Sequence, residues 1–267
     1  MPFLETHDVR LHYLFERNGD HPVLVLANSL GTNLAMWSAQ VIRFRKYFSL
    51  LRFDMRGHGR SSVPIASFGI PDAALDVIAL LDHLHIHKAS FCGLSMGGMV
   101  GQWLALYAAE RFKCFVLSNT AARIGTDETW NRRIDLVTAQ GMKAVVPSIL
   151  ERWYTPKFRE NSAEVVERTA KMLLETDPYG YALCCGAIRN MDLRELIGMI
   201  HLPTLVVYGT EDSVIPFSDT QHLFERIPNA CTISLNAAHL SNIEAPGVFS
   251  QGVLEFLVNF TENKAHE

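Results

Sequence analysis

The stretch Gly93-Leu94-Ser95-Met96-Gly97 decides the fold, because a GxSxG motif of this kind sits between a strand and a helix. Residues 89–92 are mostly apolar and predict a buried strand, and residues 95–109 are nearly all apolar and predict a helix packed inside the molecule. In that setting the serine lies on a sharp, strained turn at a helix N-terminus, where free N–H groups favour negative charge. Ser95 is therefore the candidate nucleophile, and a chance glycine-serine turn is the alternative.

Outside this motif, short apolar runs alternate with helical patterns, which predicts an α/β fold with a mostly parallel central sheet flanked by helices. Further strands are expected at residues 23–27, 50–53, 115–117, 205–208 and 232–235. Residues 72–87 carry the apolar stripe of an amphipathic helix, and a last helix is expected after Pro246.

Residues 123–195 break this alternation, since they are helical in pattern and hold no convincing strand. They are interpreted as a helical cap, inserted into a core formed by residues 1–122 and 196–267. The cap contains two tryptophans, Trp130 and Trp153, and several arginines.

A serine hydroxyl is a weak nucleophile without a neighbouring base. In folds with this strand-serine-helix turn, the chain order is serine, then acid, then histidine. His239 follows the last predicted strand, and Glu211 and Asp212 follow the strand before it. Because parallel strands end at one edge of the sheet, these groups are expected to meet Ser95 there. The residues alone leave either carboxylate possible, and a surface loop histidine is the alternative for His239.

The developing oxyanion needs two hydrogen-bond donors. One candidate is the backbone N–H of Met96, the residue after the nucleophile. The second is expected from Asn28-Ser29-Leu30-Gly31, the loop after an early strand, and position in that loop favours the N–H of Leu30.

Composition excludes several classes of protein. The chain has 267 residues, 48% hydrophobic residues and a formal net charge of −4, and it shows no basic stripe of the kind that binds nucleic acid. Neither a signal peptide nor an apolar run of about 20 residues is visible, so no membrane partner is expected and a cytoplasmic location is predicted.

No metal or organic cofactor is implied by the sequence. The five cysteines are interpreted as buried small hydrophobic residues in a reducing compartment. The run His83, His85, His87 points its side chains in different directions, and His87 is attributed to the dipole of a helix C-terminus. His58 lies in a turn and has no nameable partner.

Five segments together resemble the 3-oxoadipate enol-lactonases of the α/β-hydrolase superfamily: LANSLGTN, FDMRGHGRS, GLSMGG, VVYGTEDSVIP and AAHLSNIEAP. The cap segments NTAARIGTDETWNRRI, ERWYTP and CCGAIRNMDLR are similar to the same family, so the resemblance covers nearly the whole chain. Many superfamily members have His-Gly where this chain has Asn28-Ser29, which disfavours a general esterase. The resemblance also favours Asp212 over Glu211 as the acid, because the family shows G-x-x-D after this strand.

The resemblance implies an α/β-hydrolase fold and hydrolysis of a five-membered enol-lactone in bacterial degradation of aromatic compounds. Such a substrate carries a carboxylate arm, so a cation is expected in the pocket. Arg133 in the cap is the first candidate, with Arg189 and Arg123 as rivals. Trp130 and Trp153 are candidate pocket walls, and core packing is their alternative role.

Two other kinds of function remain possible from the sequence. One is a related enzyme, either a hydrolase of carbon–carbon bonds in ring-cleavage products or a broad carboxylesterase. The other is a small-molecule receptor that keeps the fold without turnover, which the intact Ser95, Asp212 and His239 disfavour. The oligomeric state is left open.

Overall fold

A computed structural model describes residues 2–261 and contains one eight-stranded sheet in the order β1-β2-β4-β3-β5-β6-β7-β8. The strands β3 to β8 run parallel, while β1 and β2 are antiparallel to their neighbours. Their bounds are β1 Phe3–Glu5, β2 Arg10–Glu16, β3 Val23–Ala27, β4 Ser49–Phe53, β5 Ala89–Leu94, β6 Phe112–Ser118, β7 Thr204–Gly209 and β8 Cys231–Leu235. The α/β fold with a mostly parallel sheet, expected from the sequence, is confirmed.

The strand order reverses at β3, which lies between β4 and β5. The crossover from β3 to β4 and the crossover from β4 to β5 therefore run in opposite directions along the sheet. Right-handed connections then place their helices, α1 (Ser38–Phe44) and α2 (Ile70–His83), on opposite faces. Ligands of open α/β sheets bind at such a reversal, outside the carboxyl ends of the strands. In this chain the loop after β3 begins at Asn28 and the loop after β5 begins at Ser95.

Helices cover the sheet because its central strands are mostly apolar, and β3 to β5 are buried almost throughout. The helix α1 packs with α11, and α2 packs with α3. The bounds of these four are α1 Ser38–Phe44, α2 Ile70–His83, α3 Met96–Tyr107 and α11 Pro246–Thr261, and two further core helices are α9 Phe217–Arg226 and α10 Ser241–Glu244. Within residues 2–261, no helix has the length and apolar character needed to cross a membrane.

Between β6 and β7 the chain forms five helices: α4 Asp127–Gln140, α5 Val146–Trp153, α6 Pro156–Asn161, α7 Ala163–Leu174 and α8 Pro178–Asn190. No strand occurs in residues 123–195. This segment is called the cap. That it forms a unit separate from the core remains a prediction from the sequence.

The structure corrects several sequence-based expectations. Strands β1 and β2 were not predicted, because charged residues and a histidine interrupt their apolar pattern. The helix expected at residues 72–87 ends at His83, so His87 lies beyond it and the explanation by a helix dipole is wrong. Cys231 is exposed at the start of β8, whereas the other four cysteines are buried.

Candidate active site

Ser95 occupies the turn between β5 and α3 in a strained backbone conformation, with φ 56° and ψ −114°. Non-glycine residues rarely adopt positive φ, and such strain persists only where the surroundings hold it. Here the Ser95 N–H donates to the Ser118 carbonyl at 2.9 Å, and the Thr120 hydroxyl donates to the Ser95 carbonyl at 2.8 Å. The end of β6 thus fixes the serine from both sides.

Two glycines make this turn sterically possible. A Cβ added at Gly93 would collide with the carbonyl of Gly97, and one added at Gly97 would collide with the carbonyl of Ala27. The Gly97 N–H also donates to the Asn28 carbonyl at 3.0 Å. These close approaches place the loop after β3 directly beside the start of α3.

His239 and Asp212 form a buried pair, in which the histidine Nδ1 lies 2.8 Å from the aspartate Oδ2. The other carboxylate oxygen of Asp212 accepts the backbone N–H groups of Val214 and Ile215 at 2.8 and 3.0 Å. Although burial works in the opposite direction, the charge and hydrogen bond of His239, with help from these other donors, hold the pKa of Asp212 below its usual value. Glu211, the rival acid, is exposed.

Asn119 is a member of this network that the sequence analysis missed. Its amide nitrogen donates to Asp212 Oδ2 at 2.9 Å and to the Ala238 carbonyl at 3.3 Å. Its amide oxygen accepts the hydroxyl of Ser241 at 2.6 Å. The backbone of Asn119 has φ 45°, a conformation that asparagine tolerates better than most residues. An asparagine directly after a strand end was the available sequence signal.

Ser95 Oγ and His239 are not joined by a hydrogen bond of normal length within residues 2–261. Side-chain hydrogen bonds at catalytic sites are often long without substrate and tighten when it binds, so this arrangement does not exclude proton transfer. His239 is 1% exposed, and its ring packs against that of Trp153 with centroids 6.1 Å apart. The imidazole is therefore held on one side by Asp212 and on another by the cap.

Two backbone N–H groups beside Ser95 donate to no other group in the described part of the chain: those of Leu30 and Met96. The neighbouring N–H groups are engaged, since Gly31 donates to His58 Nε2 at 2.8 Å and Gly97 donates to Asn28. The arrangement leaves two donors available near the nucleophile, one from each loop.

His58 has a defined partner, contrary to the expectation from the sequence. Its Nε2 accepts the Gly31 N–H, so the proton of a neutral ring lies on Nδ1, which is 3.2 Å from the Arg56 carbonyl. The ring is 1% exposed, and burial lowers the pKa of His58. A neutral His58 therefore braces the loop that carries Leu30.

The candidate pocket residues differ in their surroundings. Trp153 packs on His239, whereas the Trp130 indole donates to the Ile124 carbonyl and lies under the guanidinium of Arg133 at 5.4 Å. Arg133 also reaches the Tyr181 hydroxyl at 3.4 Å. Arg189 bonds instead to Asn131 and Asn190.

Arg123, the remaining rival, forms ion pairs with Asp127 and Asp192 at 3.0 and 3.2 Å. Its charge is therefore already balanced, which removes it from the best candidates for binding an anion. In residues 2–261, no group of three or more His, Cys, Asp or Glu side chains is placed to hold a metal ion.

Three kinds of comparison with known proteins agree. The family model for the alpha/beta hydrolase fold matches residues 22–246. The 3-oxoadipate enol-lactonase 2 of Acinetobacter baylyi is 42% identical over 257 residues, which is 96% of each chain. The crystal structure of the enol-lactonase from Burkholderia xenovorans LB400 superposes with a TM-score of 0.95 at 39% identity, covering 96% of this chain and 100% of that one.

Proposed function

The chain belongs to the α/β-hydrolase family and, within it, to the 3-oxoadipate enol-lactonases, and from this premise we propose that it opens 3-oxoadipate enol-lactone with Ser95 as nucleophile. It is a hydrolase that acts on a lactone ester. The observation that carries the proposal is the strained turn of Ser95, which stands beside a buried His239–Asp212 pair and two unengaged backbone donors.

His239 is the general base in this proposal, and Asp212 orients it. With Nδ1–H donated to Asp212, the free Nε2 lone pair takes the proton of Ser95 as its oxygen attacks the lactone carbonyl. The buried carboxylate then stabilises the imidazolium. Asp212 remains ionised throughout, in keeping with its lowered pKa.

The N–H groups of Leu30 and Met96 form the oxyanion hole. As the carbonyl oxygen gains charge, both donors bind it, and the N-terminus of α3 adds the favourable end of its dipole. Loss of one such donor typically costs about 2.7–4 kcal/mol of activation free energy.

The leaving oxygen of an enol-lactone departs as an enolate, which needs less help from an acid than an alkoxide does. It stays tethered to the acyl-enzyme and is able to close the ring again until it takes the proton held by the His239 imidazolium and becomes a ketone. This transfer leaves His239 neutral, so it is again able to act as a base. Water, deprotonated by His239, then attacks the acyl carbon and releases 3-oxoadipate and the Ser95 hydroxyl.

The cap, residues 123–195, closes over this site and supplies the groups that recognise substrate. Arg133 is the first candidate for the carboxylate arm, and Trp130 and Trp153 form walls. Arg189 is a weaker candidate because asparagine side chains already engage it. A cytoplasmic location stays a prediction from the sequence.

The direct test follows the absorbance of 3-oxoadipate enol-lactone with purified protein beside Ser95→Ala. The expected result is turnover by the parent chain and none by the variant. A fluorophosphonate probe should label the parent and not Ser95→Ala. Turnover that survives the substitution would refute the assignment of the nucleophile.

A panel of substrates separates this function from its rivals. The lactone should be turned over far faster than a vinylogous diketone, the substrate type of a carbon–carbon bond hydrolase, or a p-nitrophenyl ester. A receptor without turnover would leave all three unchanged and would not react with the fluorophosphonate.

A further inference from the structure

Four half-buried arginines of the cap have no carboxylate partner among the described residues: Arg133, Arg152, Arg159 and Arg189. Arg189 bonds to asparagine side chains, and of the other three, Arg133 on α4 and Arg152 on α5 have neighbours that pack on the Leu30 loop and on His239. The guanidinium of Arg133 donates to the Tyr181 hydroxyl at 3.4 Å and lies over the face of Trp130. Arg152 donates from Nε to the Ser148 carbonyl at 3.2 Å, a bond within its own helix. By contrast, Arg132, next to Arg133, is 70% exposed and pairs with Glu128.

The two guanidinium groups lie close enough to affect each other. Burial, and then the positive charge of Arg133, lower the pKa of Arg152. The negative charge of Asp212 acts on Arg152 in the opposite direction, so Arg152 also lies within electrostatic reach of the buried His239–Asp212 pair. Two half-buried cations without carboxylate partners, close enough to affect each other and near the candidate active site, favour the binding of an anion.

Each of these two arginines has a neighbouring residue that packs on the candidate active site. Tyr181, which contacts Arg133, packs against Gly31, where an added Cβ would meet its ring at 3.1 Å. Trp153, which follows Arg152, packs on His239. Arg133 therefore contacts a residue that packs on the loop bearing Leu30, and Arg152 directly precedes the residue that packs on His239.

We propose that Arg152 and Arg133 together bind the carboxylate arm of the lactone, each donating to it from its own cap helix. This inference rests on the proposed function and adds Arg152 as a residue that determines specificity. The bound carboxylate neutralises two cations that otherwise repel each other. A neutral ester leaves both without a partner, so the site selects anionic lactones.

The experiment compares Arg152→Gln, Arg133→Gln and the double variant, with Arg132→Gln as the matched control. Each single variant at the site should raise KM for the enol-lactone about 10- to 100-fold, the size of one lost hydrogen bond to a charged group. The kcat/KM for neutral p-nitrophenyl acetate should stay within about twofold, as should every constant of Arg132→Gln. Since both guanidinium groups bind one carboxylate, their effects should not be independent. The factor by which KM for the lactone rises in the double variant should differ from the product of the two single factors by about twofold or more.

A second readout does not depend on lactone turnover. Adipate, a dicarboxylate without a lactone ring, should inhibit hydrolysis of p-nitrophenyl acetate by the parent chain, and the inhibition should weaken about 10-fold or more in Arg152→Gln. Arg152→Lys, which keeps the charge, should recover part of both effects, and an unchanged melting temperature should show that the variants fold.

The possible failures are distinguishable. If the parent opens the lactone and Arg152→Gln does so equally well, the inference is wrong while the function stands. If Arg152→Gln loses lactone and neutral ester activity equally, Arg152 does not read the carboxylate, and the inference is again wrong. If the parent ignores the lactone but adipate inhibition still requires Arg152, the lactonase proposal fails and the anion site stands.

Discussion

At the scale of single residues, Asn119 follows β6, the strand whose end holds the Ser95 turn, and joins it to Asp212, the acid of the proposed triad. It donates to Asp212 and accepts from Ser241, and it does so from a left-handed backbone conformation. Glycine adopts that conformation without strain, so Asn119→Gly removes the amide while sparing the turn. We expect kcat for the lactone to fall about 10-fold or more, since a hydrogen bond to a charged group is lost.

The matched comparison for Asn119 is Asn119→Ala, which removes the same amide and adds backbone strain. It should lower kcat similarly but also reduce the melting temperature. Normal kcat in Asn119→Gly would show that His239 and the two N–H groups orient Asp212 without the amide.

His58 gives a prediction about pH. Its Nε2 must accept the Gly31 N–H, and burial lowers its pKa, so the unfolded chain binds the proton more readily than the folded one. The stability that neutral His58 contributes is therefore fully present above the ordinary histidine pKa of about 6.5. This contribution is lost as the pH falls below that value. His58→Gln keeps an acceptor oxygen and does not titrate, so its melting temperature should fall less than that of the parent between pH 7.5 and 5.5. Parallel decreases in the two proteins would contradict this role.

At the scale of elements, the loop that carries His239 is tied to the cap by Glu244 of α10. One carboxylate oxygen accepts the Thr155 hydroxyl at 2.5 Å, and the other accepts the Ala238 N–H at 2.9 Å. The Leu240 N–H also donates to the Trp153 carbonyl at 3.1 Å. Cap and histidine loop therefore share one hydrogen-bonded junction.

Two variants separate the halves of this junction. Glu244→Ala frees the N–H of Ala238, the residue before His239, and should lower kcat about 10-fold. Thr155→Val breaks only the bond from the cap hydroxyl and should affect kcat less. Equal kcat values in both variants would show that Glu244 holds the cap rather than the histidine loop.

The strands β3 and β2 show which elements are predictable from the sequence and which are not. The strand β3 was predicted with its observed bounds because a parallel strand buried on both faces is apolar at every position. The antiparallel β2 was missed because Arg10, His12 and Glu16 interrupt its pattern. Its stability comes from pairing with β4, a contact that no local pattern contains.

The site shows the same division. Ser95, Asp212 and His239 each follow a strand, so their positions were readable from motifs. Asn119 and His58 were not, because their partners lie 93 and 27 residues away in other elements, and only the fold brings them together. Pairing of side chains across elements depends on tertiary packing rather than on local sequence.

At the scale of the whole molecule, the cap rests on the core through direct backbone contact. A Cβ added at Gly180 of α8 would lie 2.5 Å from the carbonyl oxygen of Gly57, and one added at Gly57 would lie 2.9 Å from the Gly180 Cα. Gly57 belongs to the turn that also carries His58. The next cap residue, Tyr181, covers Gly31. The contact between Gly57 and Gly180 therefore helps to set the position of Tyr181 over the loop that carries Leu30.

Gly180→Ala tests this contact between cap and core, because the added methyl group would clash with the backbone of Gly57. Overpacking of this kind costs about 1–3 kcal/mol, which lowers the melting temperature of a chain of this size by roughly 2–10 °C. We also expect kcat/KM for the lactone to fall, since Tyr181 and its contact Arg133 shift with the cap.

The control lies on the same helix. Gly186 has nothing within 4 Å of an added Cβ, so Gly186→Ala should stabilise α8 by about 0.5–1 kcal/mol and raise the melting temperature by a few degrees. Its kcat/KM should match that of the parent. If Gly180→Ala keeps full activity while melting lower, the cap seats Tyr181 by contacts other than the glycine pair. If both variants melt at or above the parent temperature, the close approach of Gly57 and Gly180 does not occur in solution, and the cap stands further from the serine turn than this structure places it.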